Sequence, residues 1–175
     1  MKPDLSVKLG PLELANPVMT ASGTFGYGSE YEEFFDPSIL GAVVVKGVAP
    51  NPVHGNPTPR VAEVASGMIN AIGLQGPGIE KFLHDEHYLP WLRKHNCKTV
   101  VNIWGKSVDD YRYVAERLDA DSDGIAALEI NVSCPNVKEG GISFSSDTAA
   151  MGKVVAAVRS ATKLPLITKL SPNVR

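Results

Sequence analysis

A chain of 175 residues with 17 basic and 19 acidic side chains carries a formal charge of −2, which excludes a general electrostatic binder of nucleic acid. Its 43% hydrophobic and 21% charged content is that of a globular protein with one sizeable core, not of a disordered segment. No run approaches the roughly 20 apolar residues of a membrane helix, and the start MKPDLSVKLG lacks a signal-peptide core, so no membrane partner is expected and the cytoplasm is the expected location.

From the N-terminus, Leu5 to Leu14 holds two short alternating runs broken by Gly10-Pro11. The pattern predicts a β-hairpin before the first parallel strand, placed to plug one end of a barrel. Strands are predicted over Pro17 to Thr20, Ala42 to Val48, Thr99 to Ile103, Ala126 to Asn131 and Leu164 to Leu170. Most are near-continuous apolar runs, as in strands covered on both faces. Between them, Ser29 to Phe35, Gly78 to Lys94, Val108 to Leu118 and Asp147 to Thr162 have helical spacing, with Ser107 and Asp147 as N-caps. Five βα units in succession suit either an open doubly wound sheet or part of a (β/α)8 TIM-type barrel. A complete barrel takes about 250 residues, so the barrel reading places only the first five units here. Residues 1–175 then form a single incomplete α/β domain.

Polar residues gather where these strands end. Thr20-Ala21-Ser22-Gly23 follows the first, and Lys46-Gly47, Asn102, Asn131 and Lys169 stand at the ends of the next four. In α/β folds that edge of the sheet binds ligands. Lys46 and Lys169 are the informative pair, because an ammonium inside an apolar strand needs an anionic or carbonyl-rich partner: a bound anion, or a carboxylate such as Glu129.

The densest run is Asn131-Val132-Ser133-Cys134-Pro135-Asn136, with Gly140-Gly141 beyond it as the hinge of a loop that closes over a ligand. Cys134 is a candidate base, since a polar site need lower a thiol pKa near 8.5 only modestly. The residues alone leave a nucleophile or an inert buried thiol open. A weaker echo stands at Lys169-Leu170-Ser171-Pro172-Asn173-Val174 and reads equally as turn chemistry.

Ala49 to Gly78 spans about thirty residues where a βα connection takes about 2 to 6, and such loops are usually functional. Within it, Asn70 and the backbone at Gly73-Leu74 offer donors and acceptors to a planar polar ligand. The glycine patterns beginning at Gly23 and Gly73 match neither a dinucleotide fingerprint nor a P-loop and read as turns. His54, His84, His87 and His95 make no ligand pattern with the two cysteines, so no metal is expected and both thiols read as free. Cys97 reads as structural, and Trp91 and Trp104 as packing residues, Trp104 close enough to Asn102 to edge a site.

In combination, MTASGTFGYG, VVVKGV, GNPTPRVAE with GMINAIGLQGPG, VNIWG, EINVSCPNVKEGG and ITKLSPNV resemble the N-terminal part of a dihydroorotate dehydrogenase, from about residue 6 to the last residue. Cys134, where the membrane-associated class has serine, resembles class 1, and GNPTPR and NAIGLQGPG resemble most closely the NAD-linked 1B subgroup. The resemblance implies an FMN-binding (β/α)8 barrel that oxidises dihydroorotate to orotate in de novo pyrimidine biosynthesis. It implies a homodimer and, in the 1B type, a partner subunit carrying FAD and a 2Fe-2S cluster that passes electrons to NAD.

By the same resemblance, Cys134 is the base at C5 of the substrate. Lys46, Asn70, Gly73, Leu74, Asn131 and Asn136 contact the substrate, while Ala21, Ser22, Lys46, Asn102, Asn131 and Lys169 surround the flavin, with Lys169 near N1 and the C2 oxygen. Members run well past 250 residues, so the chain is expected to be a fragment or to be completed by another chain. A fumarate-linked 1A enzyme, a dihydropyrimidine dehydrogenase and a catalytically silent half-barrel are the alternatives.

Overall fold

The two alternating runs around Gly10-Pro11 form β1 (Val7–Leu9) and β2 (Leu12–Leu14), paired antiparallel with Val7 opposite Leu14. The protein is seen here as a computed structural model that describes residues 3–133, 138–139, 142–143 and 147–171.

The strand expected over Pro17 to Thr20 is reduced to a single parallel bridge between Met19 and Ala42. Pro17 has no N–H to donate. The Thr20 hydroxyl replaces a longer ladder, accepting from Val44 N at 2.8 Å and donating to Val44 O at 3.1 Å. The next strand, expected over Ala42 to Val48, pairs as β3 (Val43–Val44), breaks, and resumes as a bridge from Val48 to Ile103. At the break the Lys46 N–H donates to Gly26 O at 2.8 Å, so the strand is tied to the preceding loop there and not to its neighbour.

Ser29 to Phe35 makes only a 3-10 turn at Ser29–Tyr31, and another follows at Pro37–Ile39. Gly26 and Gly28, both at positive φ, and Pro37 bound the segment on either side. The long insertion contains a hairpin that its residue pattern did not lead us to expect, β4 (Val61–Val64) against β5 (Gly67–Asn70), exposed throughout. The segment expected as one helix to Lys94 splits into α1 (Ile79–His84) and α2 (Leu89–Lys94). Pro90 in the first turn of α2 fits a helix start but not an interior.

β6 (Thr99–Ile103), α3 (Val108–Ala120), β7 (Ile125–Asn131), α4 (Thr148–Ala161) and β10 (Leu166–Lys169) complete the main fold. Between β7 and α4, β8 (Lys138–Glu139) pairs antiparallel with β9 (Ile142–Ser143). Both expected N-caps are present. Ser107 and Asp110 form a reciprocal capping box, and Asp147 accepts from Ala149 N and Ala150 N.

The sheet runs β3-β6-β7-β10, every pair parallel and in chain order. A doubly wound sheet reverses its strand order and carries helices on both faces. Here the helices share one face. Tyr111, Val114 and Leu118 of α3 and Val154 and Val158 of α4 form one core with Val101, Ile103, Leu128 and Ile130. The other face is lined by Ala42, Val44, Val100 and Ala127 and is closed below by Leu12 and Leu14 of the hairpin. This is the first part of a (β/α)8 barrel, with the N-terminal hairpin under its floor.

Candidate functional site at the strand ends

Alternation along the strands turns every second residue to the interior face. Val44, Val100 and Ala127 make an apolar floor. One pleat step further along are Lys46, Asn102 and Glu129, and one more brings Asn131. The register sets Asn102 beside Glu129 and Lys169 beside Asn131. The interior therefore changes from apolar to polar at the C-terminal ends of the strands.

Asn102, Glu129 and Lys169 are joined directly. Asn102 Nδ2 donates to Glu129 Oε1 at 2.5 Å, and Lys169 Nζ lies 3.2 Å from the same oxygen. Lys169 thus takes the carboxylate partner that the sequence left as one of two possibilities. Asn102 is wholly buried, and its Oδ1 has no hydrogen-bond partner among the described residues. Asn131 is also buried: Ser133 Oγ donates to its Oδ1 at 2.9 Å, and the Tyr111 hydroxyl of α3 donates to its carbonyl at 2.8 Å.

Gly47 is fixed by close approach. A Cβ there would lie 2.7 Å from Trp104 Cδ1 and 3.0 Å from Asn102 Oδ1, so only glycine lets the buried indole pack on this strand. Trp104 has the packing role expected of it, beside the site.

Lys46 is half-buried, and among the described residues its ammonium has neither a hydrogen bond nor an ion pair. Burial first, and then the Arg60 charge, push its pKa below the ordinary lysine value, with Glu30 opposing. It lines a hollow of about 410 Å³ together with Tyr27, Glu30, His54, Gln75 and Lys81. Sequence reasoning did not single out Tyr27. Its hydroxyl is buried and has no hydrogen-bond partner among the described residues, its ring stands edge-on to Tyr88 at 4.8 Å, and burial raises its pKa. A tyrosine inside the glycine-rich GTFGYG run was the available signal.

The other expected residues are more scattered. The Ala21 carbonyl accepts from the Thr24 N–H and hydroxyl, closing a turn beside Ser22. Asn70 ends the exposed hairpin strand β5, and the structure does not bring its side chain into contact with the Asn102 group. Gly73 and Leu74 follow with consecutive positive φ values of 78° and 57°. For leucine this is a strained conformation of the kind that clusters at ligand sites. Cys134, Asn136 and the Gly140-Gly141 hinge lie outside the described residues. Cys97 is a buried free thiol at the opposite end of the strand, and burial pushes its pKa up to about 11.

The sequence matches the family model described as dihydroorotate dehydrogenase over residues 4–175. It is 54% identical over 174 residues to the catalytic subunit of dihydroorotate dehydrogenase B (NAD(+)) of Pelobacter propionicus, covering 99% of this chain and 56% of that protein. The subunit of the same name from Desulforamulus reducens is 52% identical with the same coverage. The chain therefore spans about half the length of the curated relatives it matches. A crystal structure of DHODH from Eimeria tenella in complex with ferulenol aligns with a TM-score of 0.76 at 24% identity, over 99% of this chain and 54% of that one. That likeness carries the fold. No helix among the described residues is long and apolar enough to cross a membrane.

Proposed function

We propose, since this chain belongs to the dihydroorotate dehydrogenase family, that it is the N-terminal part of an FMN-dependent catalytic subunit of the 1B type. This subunit oxidises dihydroorotate to orotate in the cytoplasm, within pyrimidine biosynthesis. The observation that carries the reading is the polar layer of Lys46, Asn102, Asn131 and Lys169 set on an apolar barrel floor.

The residues present fit a flavin. Among the described residues, Asn102 supplies a buried acceptor without a donor, and Lys46 an ammonium without an ion pair. Two ammonium groups beside a ring that becomes electron-rich on reduction supply electrostatic stabilisation in place. Bound FMN supplies the acceptor for the hydride of substrate C6. Asn102 and Lys169 would hold the ring, with Ala21, Ser22, Lys46 and Asn131 around it.

Cys134 takes the proton from C5 of the substrate. Lys46 meets the substrate carboxylate, while the amides of Asn70, Asn131 and Asn136 and the backbone at Gly73-Leu74 match its alternating donors and acceptors. A partner subunit would hold the FAD and 2Fe-2S cluster that pass the electrons on to NAD. Residues 1–175 are one incomplete FMN-binding domain of a homodimer.

An absorption spectrum of the complete purified protein tests this reading. A flavin band that shifts when orotate is added is the expected result. Colourless protein that takes up no FMN would overturn it and leave the silent half-barrel.

A further inference from the structure

Glu129 is the one interior-face position of the polar layer to which no role has been given. Its side chain is only 13% exposed, yet it carries a carboxylate on the barrel's inner face, between Ala127 below and Asn131 above. A carboxylate only accepts hydrogen bonds. The contact of Asn102 with Glu129 Oε1 therefore settles which way the Asn102 amide faces: Nδ2 toward Glu129, Oδ1 away from it. That leaves Oδ1 as a fixed, buried acceptor with no donor from the described residues. A buried acceptor without a donor is costly unless a ligand supplies one.

The same Glu129 oxygen lies 3.2 Å from Lys169 Nζ, so the ammonium acts on its surroundings as one half of an ion pair and not as a lone charge. Removing the carboxylate charge would strengthen the positive field at this end of the strands, and in a low-dielectric interior the change is weakly screened.

We propose that Glu129 is a positioning residue. Through Asn102 it presents a hydrogen-bond acceptor to an N–H edge of the bound ring. Through Lys169 it presents a partly neutralised ammonium, which holds the reduction potential of the ring below what a lone lysine would set. The inference rests on the flavin reading above.

The test uses the complete FMN-loaded protein, with Glu129→Gln preserving the shape of the side chain while removing its charge. The expected result is a ratio of reduced-flavin to oxidised-flavin affinity about tenfold higher than in wild type. For a two-electron couple this is a rise of about 30 mV in midpoint potential, read by spectroelectrochemistry without turnover. Combined with Lys169→Met, Glu129→Gln is expected to shift the potential by much less, because the charge it acts through is gone.

Should Glu129→Gln fail to fold, Glu129→Asp keeps the charge but shortens the reach. It is expected to keep the wild-type potential while weakening FMN binding severalfold. Wild type that binds no FMN would overturn the flavin reading and this proposal with it. Wild type that binds FMN, with both variants matching it in potential and in FMN dissociation constant, would overturn the role of Glu129 alone.

Discussion

Lys46, whose ammonium makes no ion pair among the described residues, sets a pH limit. Because burial and Arg60 lower the pKa of Lys46, its charge is lost, as pH rises, before the ordinary lysine value of about 10.4 is reached. If Lys46 meets the substrate carboxylate, orotate affinity should fall on the alkaline side at a pH below that value. Titration of the flavin spectrum with orotate from neutral to alkaline pH checks this, and in Lys46→Ala affinity should be weak throughout and lack the alkaline limb. Replacing Cys134 by alanine should slow flavin reduction by dihydroorotate by about 10² to 10⁴, the usual worth of a positioned base, while FMN stays bound. Rapid-mixing kinetics that show equal rates for both proteins would remove Cys134 from the mechanism. At this scale the sequence was informative wherever a residue type contradicted its strand. Lys46, Asn102, Asn131 and Lys169 stood out for that reason. Tyr27 did not, because a buried phenol resembles any core aromatic until its neighbours are known.

Between elements, one carboxylate joins the end of α3 to the approach of β10. Asp119 Oδ1 accepts from the Thr162 hydroxyl at 2.6 Å and from Lys163 N at 2.9 Å. These bonds, the hydroxyl first, hold its carboxyl below the usual range. A lowered carboxyl stabilises the fold fully above about pH 4, where the unfolded side chain is ionised, and that contribution fades as pH falls through the lower folded value. Asp119→Ala should therefore cost about 1 kcal/mol at neutral pH. Urea unfolding should show the gap from wild type closing in acid. The elements themselves were legible to unequal degrees. β6, β7, α3 and α4 match their periodicity because long apolar runs and a capping box agree with the packing. The first strand shrank to a bridge, and the β4–β5 hairpin was missed, because its apolar residues Val61, Val64, Met68 and Ile69 do not alternate with polar ones and stay exposed.

Over the whole molecule, strand order decided the fold. Composition and alternation allowed two α/β architectures. Chain-order pairing, with helices on one face only, leaves the barrel. That choice depends on which strands become neighbours, and local sequence does not encode this. The floor of the barrel has a further consequence. Leu12 and Leu14 are buried against Val44, Val100 and Ala127, and the Lys98 ammonium donates to the Glu13 carbonyl. On the ribosome the hairpin emerges before the strands that cover it, and those surfaces are completed only once β7 has been made. At about 5 to 20 residues per second, it waits for seconds with its leucines open to water and to chaperones. Pulse-labelling hydrogen exchange on the refolding full-length protein should accordingly find the amides of β1 and β2 protected later than those of β6 and β7. Protection of the hairpin first would mean that it folds on its own and serves as the template on which the floor assembles.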